Sequence, residues 1–386
     1  MCGRYKDHMK KILLLIFLFL ISTNVFAKNN SLSVKEYIKV GILSGNKAVT
    51  IGCDQKYYFV SNGKEVVLSA GKVIVNPETN TAVIGKRRYK LPIKFVSEKN
   101  CLLVNDKIYR GNIIVNCAGN KINIINELKF EDYLKGILPK EASASWNTNA
   151  LKAQAVISRT YAAKNIGRHA KEGYDVCDTV HCQVYGGASC ENKKCNLAVR
   201  DTKGEVVVYQ NALAQTLFHA ACGGHTDDPK YVWGWKETPE YLEGRKDKYC
   251  KGNPHSNWTI ELSESFIREK LNTAGYKVGT IKKISYSGKT AGKAAKTVTI
   301  SNSKGKLKLN AYTFRLAVDA FKVKSTMFTS ISKKGKNFVF KGHGWGHKVG
   351  LCQWGAKAMG DKKISYKKII DYYYPGTDIG KINYGK

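Results

Sequence analysis

The first third of the chain alternates apolar and polar residues in short runs. A period of two is typical of strands with one buried face. Five runs carry it, with Gly and Asn punctuating the stretches between them: Tyr37–Ile42, Tyr57–Val60, Lys72–Val75, Asn112–Val115 and Ile122–Ile125. The pattern predicts a β-rich N-terminal region over residues 28–126.

The pattern changes near Phe130, where apolar residues begin to recur at helical spacing. Glu131–Leu138 predicts a short helix that ends before Pro139, because the residue preceding a proline disfavours helical angles. Asn149–Asn165 predicts a longer, alanine-rich helix, whose small residues indicate close packing against a neighbour. Arg159 lies on this helix and requires a partner if it is buried.

The remainder of the chain mixes both periods. Strands are predicted at Glu205–Tyr209 and Ala214–His219, and helices near Ser263–Leu271, Ala311–Phe321 and Tyr366–Tyr373. The stretch 227–257 has little periodicity and is long for a loop without a function. We therefore predict an α+β fold, in which the β-rich region precedes a mixed helix and strand core, residues 127–386, around a cleft.

The N-terminus has the form of an export signal. Lys10 and Lys11 precede an apolar run, Ile12–Ile21, which is shorter than the ~20 residues of a spanning helix. Val25-Phe26-Ala27 is a suitable cleavage site, so residues 1–27 are a signal peptide or, alternatively, an uncleaved anchor in contact with the membrane. In both cases the bulk of the chain is expected outside the membrane, and nucleic acid is not an expected partner.

The charge is strongly unbalanced. Lys and Arg number 64 against 30 Asp and Glu, which gives a formal net charge of +34. A field of that sign attracts polyanions, and for an exported chain these are anionic lipid or an acidic cell-wall polymer. The alternative is a solvated, lysine-rich surface with no single partner.

The chain has eleven cysteines. Disulfides are the first expectation for an exported chain. However, four cysteines crowd into the loop-like stretch 169–195 together with His169 and His181, which is more typical of a metal site. These are Cys177, Cys182, Cys190 and Cys195. Thiolate and imidazole together suit zinc. The spacing of Cys190 and Cys195 fits either a small disulfide or further ligands.

A glycine-rich segment lies near the C-terminus. Four glycines stand between residues 342 and 350, and they allow the backbone to approach a ligand closely. His343 and His347 would share a helix face and suit a metal, but the glycines disfavour a helix. We therefore interpret both as groups that line the cleft. Gln353 can donate to and accept from sugar hydroxyls.

Three segments together resemble one protein family. They are Leu138-Pro139-Lys140-Glu141 with Trp146 and Ala150–Tyr161, then His181–Gly187 with Ala221–Thr226, and finally Gly342–Ala356. In this order they resemble the stage II sporulation protein D and amidase-enhancer (SpoIID/LytB) family, from about residue 30 to the C-terminus.

The resemblance implies a lytic transglycosylase that cuts peptidoglycan between N-acetylmuramic acid and N-acetylglucosamine and leaves 1,6-anhydro ends. Sporulation members act during engulfment, on glycan strands already denuded of stem peptides by a partner amidase. The family's catalytic glutamate matches Glu141. Its metal-bearing relatives use one His and two Cys, which match His169, Cys177 and Cys182. The zinc would be structural or shape the cleft, because the glycan chemistry requires no metal.

The chemistry fits a single carboxyl group. Cleavage needs a proton donor, and an acid with a raised pKa supplies one at neutral pH. Glu141 lies between Leu138-Pro139 and Trp146, which offer an apolar setting. The substrate's own 6-hydroxyl attacks, so no second carboxylate is required. The alternative is a surface glutamate at the start of the next helix.

Arg159 and Tyr161 follow Glu141 on the long helix. One interpretation is that they line the cleft, where they hold sugar or orient the acid. The other is a buried ion pair and a core tyrosine.

Two other functions stay open. The chain could be a non-catalytic, wall-binding activator of a separate amidase, which its charge and the aromatic stretch 227–257 would serve. It could also be a zinc hydrolase of wall peptides, although no HExxH helix is present.

Overall fold

A computed structural model of the protein describes residues 32–45, 48–78, 80–118 and 121–385. The predicted signal segment, residues 1–27, lies outside these ranges. Strands and helices are both abundant, and the N-terminal region is rich in strands, which confirms the α+β prediction. No helix within the described ranges has the length and apolar character needed to cross a membrane.

The N-terminal region consists of consecutive strands. They are β1 (Leu32–Lys35), β2 (Tyr37–Ser44), β3 (Val49–Cys53), β4 (Tyr57–Ser61), β5 (Lys64–Leu68), β6 (Gly71–Glu78), β7 (Thr81–Ile84), β8 (Arg87–Lys90), β9 (Ile93–Ser97), β10 (Cys101–Val104), β11 (Lys107–Arg110), β12 (Asn112–Ala118) and β13 (Lys121–Lys129). All five strands predicted here are present. The strict alternation is clearest in β9, where Ile93 and Phe95 are buried and their neighbours are not.

Helices and further strands follow. The helices are α1 (Phe130–Glu141), α2 (Thr148–Lys164), α3 (Lys193–Asp201), α4 (Pro229–Trp233), α5 (Glu264–Thr273), α6 (Ala311–Val318), α7 (Gln353–Asp361) and α8 (Tyr366–Tyr373). The strands are β14 (Val176–Cys177), β15 (Glu205–Tyr209), β16 (Ala212–Leu213), β17 (Phe218–His219), β18 (Trp258–Ser263), β19 (Ile281–Lys289), β20 (Ala295–Asn302), β21 (Gly305–Asn310), β22 (Phe328–Lys334), β23 (Asn337–Gly342), β24 (Leu351–Cys352) and β25 (Asp378–Gly385).

Strands β2 to β13 form two sheets, the larger of which also includes β14, whereas β1 pairs with β25 in a separate sheet. The order of the larger sheet is β14-β2-β13-β12-β9-β4-β5, and that of the other is β11-β10-β3-β6-β7-β8. Strand β14 pairs parallel to β2, with Cys177 beside Gly41. This pairing anchors the cysteine-rich loop to the sheet.

The rest of the chain has two apolar cores. One surrounds α2, where Val156 and Ile157 pack with residues of α7 and α8 such as Met359 and Ile369. The other lies between α5, α6 and the strands β18 to β23. Because α2 contacts α1, α3, α7 and α8, its small residues allow the close packing that the sequence indicated.

The structure corrects two predicted elements. Helix α1 does not end before Pro139 but continues to Glu141, and the amide of Ala142 closes the last turn on the Leu138 carbonyl. A proline in a last turn removes a single backbone donor, and the buried Ile137 and Leu138 hold the turn in place. The strand predicted at Ala214–His219 is reduced to the two residues of β17.

Candidate active site

Glu141 is the last residue of α1 and is partly buried. The backbone amide of Val184 donates to its Oε1 at 3.2 Å, and Nε2 of Gln353 donates to its backbone carbonyl at 3.0 Å. Burial raises the pKa of Glu141 to about 7, while the hydrogen bonds from Val184 and Gln353 act in the opposite direction. The shift therefore comes from desolvation and not from a neighbouring charge.

A network of buried amides lies beneath Glu141. Nε2 of Gln353 also lies 3.4 Å from Oε1 of Gln154, whose own Nε2 donates to the Ser158 hydroxyl at 3.1 Å. Gln183 donates to the Ser158 carbonyl at 3.4 Å. These uncharged groups hold Gln353 in one orientation. None of them supplies a charge that would favour the ionised form of Glu141.

Four partly exposed rings, here called the aromatic row, run close to this site: Trp146, Trp354, His255 and Trp345. Successive ring centroids are 5.6, 6.2 and 4.6 Å apart. The row begins five residues after Glu141 and includes the residue next to Gln353. Partly exposed aromatic rings in series offer apolar surface with polar edges, which suits the ring of a sugar.

Arg159 lies elsewhere. Its side chain is wholly buried, and its Nε and Nη2 donate to the two carboxylate oxygens of Glu131 at 2.9 Å each. Its remaining donors are bound by Thr202 and by the carbonyls of Val199 and Glu205. The geometry matches the buried ion-pair interpretation and leaves no free donor for a sugar.

Tyr161 also lies apart from Glu141. Its hydroxyl accepts a hydrogen bond from Arg168 at 3.1 Å, and its ring packs edge-on against Phe218. Like Arg159, it serves the packing of α2.

The two histidines of the glycine-rich segment are separated from each other. Nδ1 of His343 lies 2.5 Å from the Ser256 carbonyl. His347 packs against Trp233 and His219, with ring centroids 5.0 and 5.5 Å away. Burial, and secondly His219, holds the pKa of His347 well below its usual range, so this ring is neutral. Gln353 is thus the one predicted substrate-binding residue that contacts Glu141 in the described part of the chain.

A first group of metal-type ligands, here called the Cys/His cluster, comprises His169, Cys177, His181 and Cys182, whose ligand atoms lie within 4.8 Å of one another. Sγ of Cys182 is 3.4 Å from Nε2 of His169 and 3.7 Å from Nδ1 of His181. The three predicted ligands come together, and His181 joins them. Four protein ligands make a closed site, which is typical of structural metals.

The surroundings of the Cys/His cluster support this arrangement. Glu172 lies 3.6 Å from Nδ1 of His169, and Tyr174 stacks on the same ring. In many metal sites a carboxylate contacts the ring nitrogen of a ligand histidine that does not face the metal. Cys190 and Cys195 do not take part: both are free thiols, the first donates to the Gly136 carbonyl, and the second is buried on α3.

A second group, here called the Cys/Asp cluster, comprises Cys222, Asp247, Cys250 and Cys352. All four side chains are buried, and their ligand atoms again lie within 4.8 Å of one another. Sequence reasoning missed this group because its members are up to 130 residues apart. The one available signal was that two of its cysteines stand within the segments that carry the family resemblance.

Two stretches of the chain match family models. Residues 118–209, which include Glu141 and the Cys/His cluster, match the model of the stage II sporulation protein family, and residues 233–350 match a domain of unknown function. An uncharacterised protein of Brachyspira hyodysenteriae is 37% identical over 296 residues, which cover 76% of this chain and 78% of that protein.

Two relatives have functional names. The amidase enhancer of Bacillus subtilis is 32% identical over 64% of this chain and 40% of its own length. Stage II sporulation protein D of the same organism is 27% identical over 67% of this chain and 76% of its own length. The chain belongs to the stage II sporulation protein D and amidase-enhancer family.

Proposed function

We propose that this protein is a lytic transglycosylase of peptidoglycan, which cleaves glycan strands between N-acetylmuramic acid and N-acetylglucosamine in sporulation or engulfment. The observation that carries the proposal is Glu141, a carboxyl group with a pKa of about 7. At neutral pH about half of such groups hold a proton, so the residue can donate it to a leaving oxygen and then accept another.

The reaction needs one residue that acts first as the acid and then as the base. Protonated Glu141 gives its proton to the glycosidic oxygen as the bond from that oxygen to the anomeric carbon breaks. The 6-hydroxyl of the same muramic acid attacks the anomeric carbon, and the Glu141 carboxylate removes the hydroxyl proton. A 1,6-anhydro ring forms, water is not consumed, and the acid regains its starting state.

The surroundings of Glu141 support a glycan substrate. The aromatic row offers several stacking positions in series, as a linear polymer of sugars requires. Gln353 holds the backbone of the acid. The net charge of +34 favours an anionic wall over a neutral polysaccharide. We propose denuded strands as the preferred substrate and an amidase as the partner that prepares them.

The Cys/His cluster would hold zinc, because two thiolates and two imidazoles match its ligand preference. The ion would supply structural cross-linking only. Its site lies in the loop that leads to Val184, whose amide binds Glu141. The wall substrate requires a location outside the membrane, as the signal at residues 1–27 predicts.

The product formed from purified sacculi tests the function. Wild-type protein should release glycan with 1,6-anhydro ends, and Glu141→Gln should release none while keeping its circular dichroism spectrum. Glu65→Gln, an exposed change on β5, is the matched control and should act as wild type. Normal digestion by Glu141→Gln, or products with hydrated reducing ends, would overturn the proposal. A freed peptide would indicate a hydrolase of wall peptides instead.

A second function is favoured by the relative named amidase enhancer. In that case the protein binds the wall and stimulates a separate amidase without cutting sugar. Wild type and Glu141→Gln would then bind sacculi equally, release no anhydro ends, and accelerate a partner amidase to the same extent.

A further inference from the structure

We propose that the Cys/Asp cluster is a second metal site, which binds a thiophilic divalent ion of the zinc type through Cys222, Asp247, Cys250 and Cys352. No part of the transglycosylase reaction uses these residues. The inference is independent of the proposed function, since it concerns metal binding by the folded chain.

The spacing of the ligand atoms fits one ion. In a tetrahedral zinc site, bond lengths near 2.3 Å to sulfur and 2.1 Å to oxygen place two sulfurs about 3.8 Å apart and a sulfur and an oxygen about 3.6 Å apart. The four ligand atoms lie within 4.8 Å of one another. Sγ of Cys222 and Oδ2 of Asp247 are 3.2 Å apart, with the thiol as donor. A small adjustment would centre an ion between them.

Each of the three sulfurs accepts at least one hydrogen bond. The amide of Gly224 donates to Sγ of Cys222 at 3.3 Å, and the side chain of Asn253 donates to Sγ of Cys250 at 3.3 Å. Sγ of Cys352 receives the amides of Cys222 at 3.3 Å and Gly355 at 3.4 Å. Donors aimed at sulfur stabilise thiolates, which are the ligand form of cysteine.

Cys352 has a further reason to carry negative charge. It is the residue that caps the N-terminus of α7. The positive end of the helix dipole favours an anion there.

Asp247 is oriented as a metal ligand would be. Its Oδ1 accepts the amides of Tyr249 and Cys250 at 2.9 and 3.2 Å, and its Oδ2 accepts the Tyr373 hydroxyl at 2.9 Å. Gly355 makes room for this pair, because a Cβ there would meet the Tyr373 hydroxyl oxygen at 1.9 Å and Oδ2 of Asp247 at 2.6 Å. A substitution at Gly355 would therefore displace the carboxylate.

A buried carboxylate and three thiols with donors aimed at their sulfurs call for a cation, because a buried negative charge without a partner is very unfavourable. No Lys, Arg or His hydrogen bonds to the four ligand atoms in the part of the chain that the structure describes. A disulfide between two of the cysteines would leave the third thiol and the oriented carboxylate without a role. One divalent ion uses all four groups.

The site would join three distant segments of the chain. Cys222 precedes Gly223, which lies against the His343 segment, Cys250 leads to His255 of the aromatic row, and Cys352 is followed by Gln353. An ion bound here would fix the position of Gln353, which contacts Glu141, and of the segments that lead to the aromatic row.

Metal analysis of the full chain, purified after expression with zinc, tests the proposal. The double variant Cys177→Ser/Cys182→Ser removes the thiolates of the Cys/His cluster, so any ion that it retains belongs elsewhere. By inductively coupled plasma mass spectrometry it should hold about one zinc per chain. Adding Cys250→Ser should remove that zinc, whereas adding Cys195→Ser, a buried cysteine outside both clusters, should not. A double variant that folds without zinc, or a triple variant with Cys250→Ser that keeps it, would overturn the proposal.

A second measurement covers the case in which Cys250→Ser does not fold. The double variant, reconstituted with cobalt, should show thiolate-to-cobalt charge-transfer absorption. Its bound ion should also protect Cys222, Cys250 and Cys352 from alkylation. This protection should end when the chain is unfolded and a chelator is added. Absence of that absorption, or an unreduced mass showing two of the three cysteines joined, would contradict the proposal. Both readouts are obtained without substrate, so their failure leaves the role of Glu141 untouched.

Discussion

The two cysteine clusters contain similar ligand atoms but assemble them differently, one from a single loop and the other from distant segments. The Cys/His cluster gathers its side chains from 14 consecutive positions in one loop, and His181 is exposed. The Cys/Asp cluster gathers four buried side chains from three segments between residues 222 and 352. A local cluster orders one loop, whereas an assembled one ties the core together, and the fold should depend on the two to different degrees.

Glu141 has two contacts, and each comes from a residue close in sequence to one of the clusters. Val184, whose amide binds its carboxylate, is two residues after Cys182, and Gln353 directly follows Cys352. If metal binding orders the clusters, each of them should help to hold one contact to Glu141. Variants that disable one cluster at a time can separate their contributions.

The largest expected effect concerns folding. Cys250→Ser should lower the free energy of unfolding by more than about 5 kcal/mol, since binding of structural zinc contributes about 10–16 kcal/mol in small zinc-binding peptides. Cys177→Ser should cost less, because its loop contacts solvent and the core persists without it. Urea denaturation of both variants against wild type measures the difference. Equal losses would remove the distinction between a local and an assembled site.

The next effect concerns pH. Because the acid must begin protonated and its pKa is about 7, kcat/KM on soluble glycan should fall about tenfold per pH unit above that value. Gln353→Met removes a hydrogen bond that lowers this pKa, so the alkaline limb should move to higher pH. Cys177→Ser should move it in the same direction if the Cys/His cluster positions Val184. A limb near the ordinary glutamate value of 4.5 would contradict the assignment.

The same shift predicts a stability difference. The carboxyl group is neutral in both states below about pH 4.5, and above it the unfolded chain ionises first. Wild type should therefore lose stability relative to Glu141→Gln as pH rises from 4.5 to above 7, by about 3 kcal/mol at most. Unfolding of the pair at pH 4.5 and pH 8.5 measures it. A pH-independent difference would mean that the carboxyl group ionises normally.

The smallest effect concerns Glu172. Glu172→Gln should weaken metal binding at the Cys/His cluster about tenfold, the lower end of the usual range for a second-layer carboxylate, because this side chain is half exposed. Competition with a chromogenic chelator measures the affinity, and Glu98→Gln, an exposed change elsewhere, is the control. Unchanged affinity would indicate that the 3.6 Å contact to His169 has no part in the metal site.

Local sequence patterns predicted the structure well where an element depends on residues that are close together in the chain. The alternation in β4, the alanine-rich α2 and the cysteine-rich loop all appear where the sequence places them. The predicted end of α1 was wrong because burial of the helix in the fold outweighed the local effect of Pro139. Helix α7 was not predicted, since two of its nine residues are glycines, and these are required by packing against other segments.

By itself, the sequence determined the α+β class and the family, and it singled out Glu141 as the candidate acid and one loop as a candidate metal site, because each follows from residues close together in the chain or from a linear motif. Only the tertiary structure decided that Arg159 forms an ion pair with Glu131, that Gln353 contacts Glu141, and that a second cluster forms at Cys222. The physical reason is that burial and contact between distant segments set these properties, and a linear pattern does not encode which segments meet.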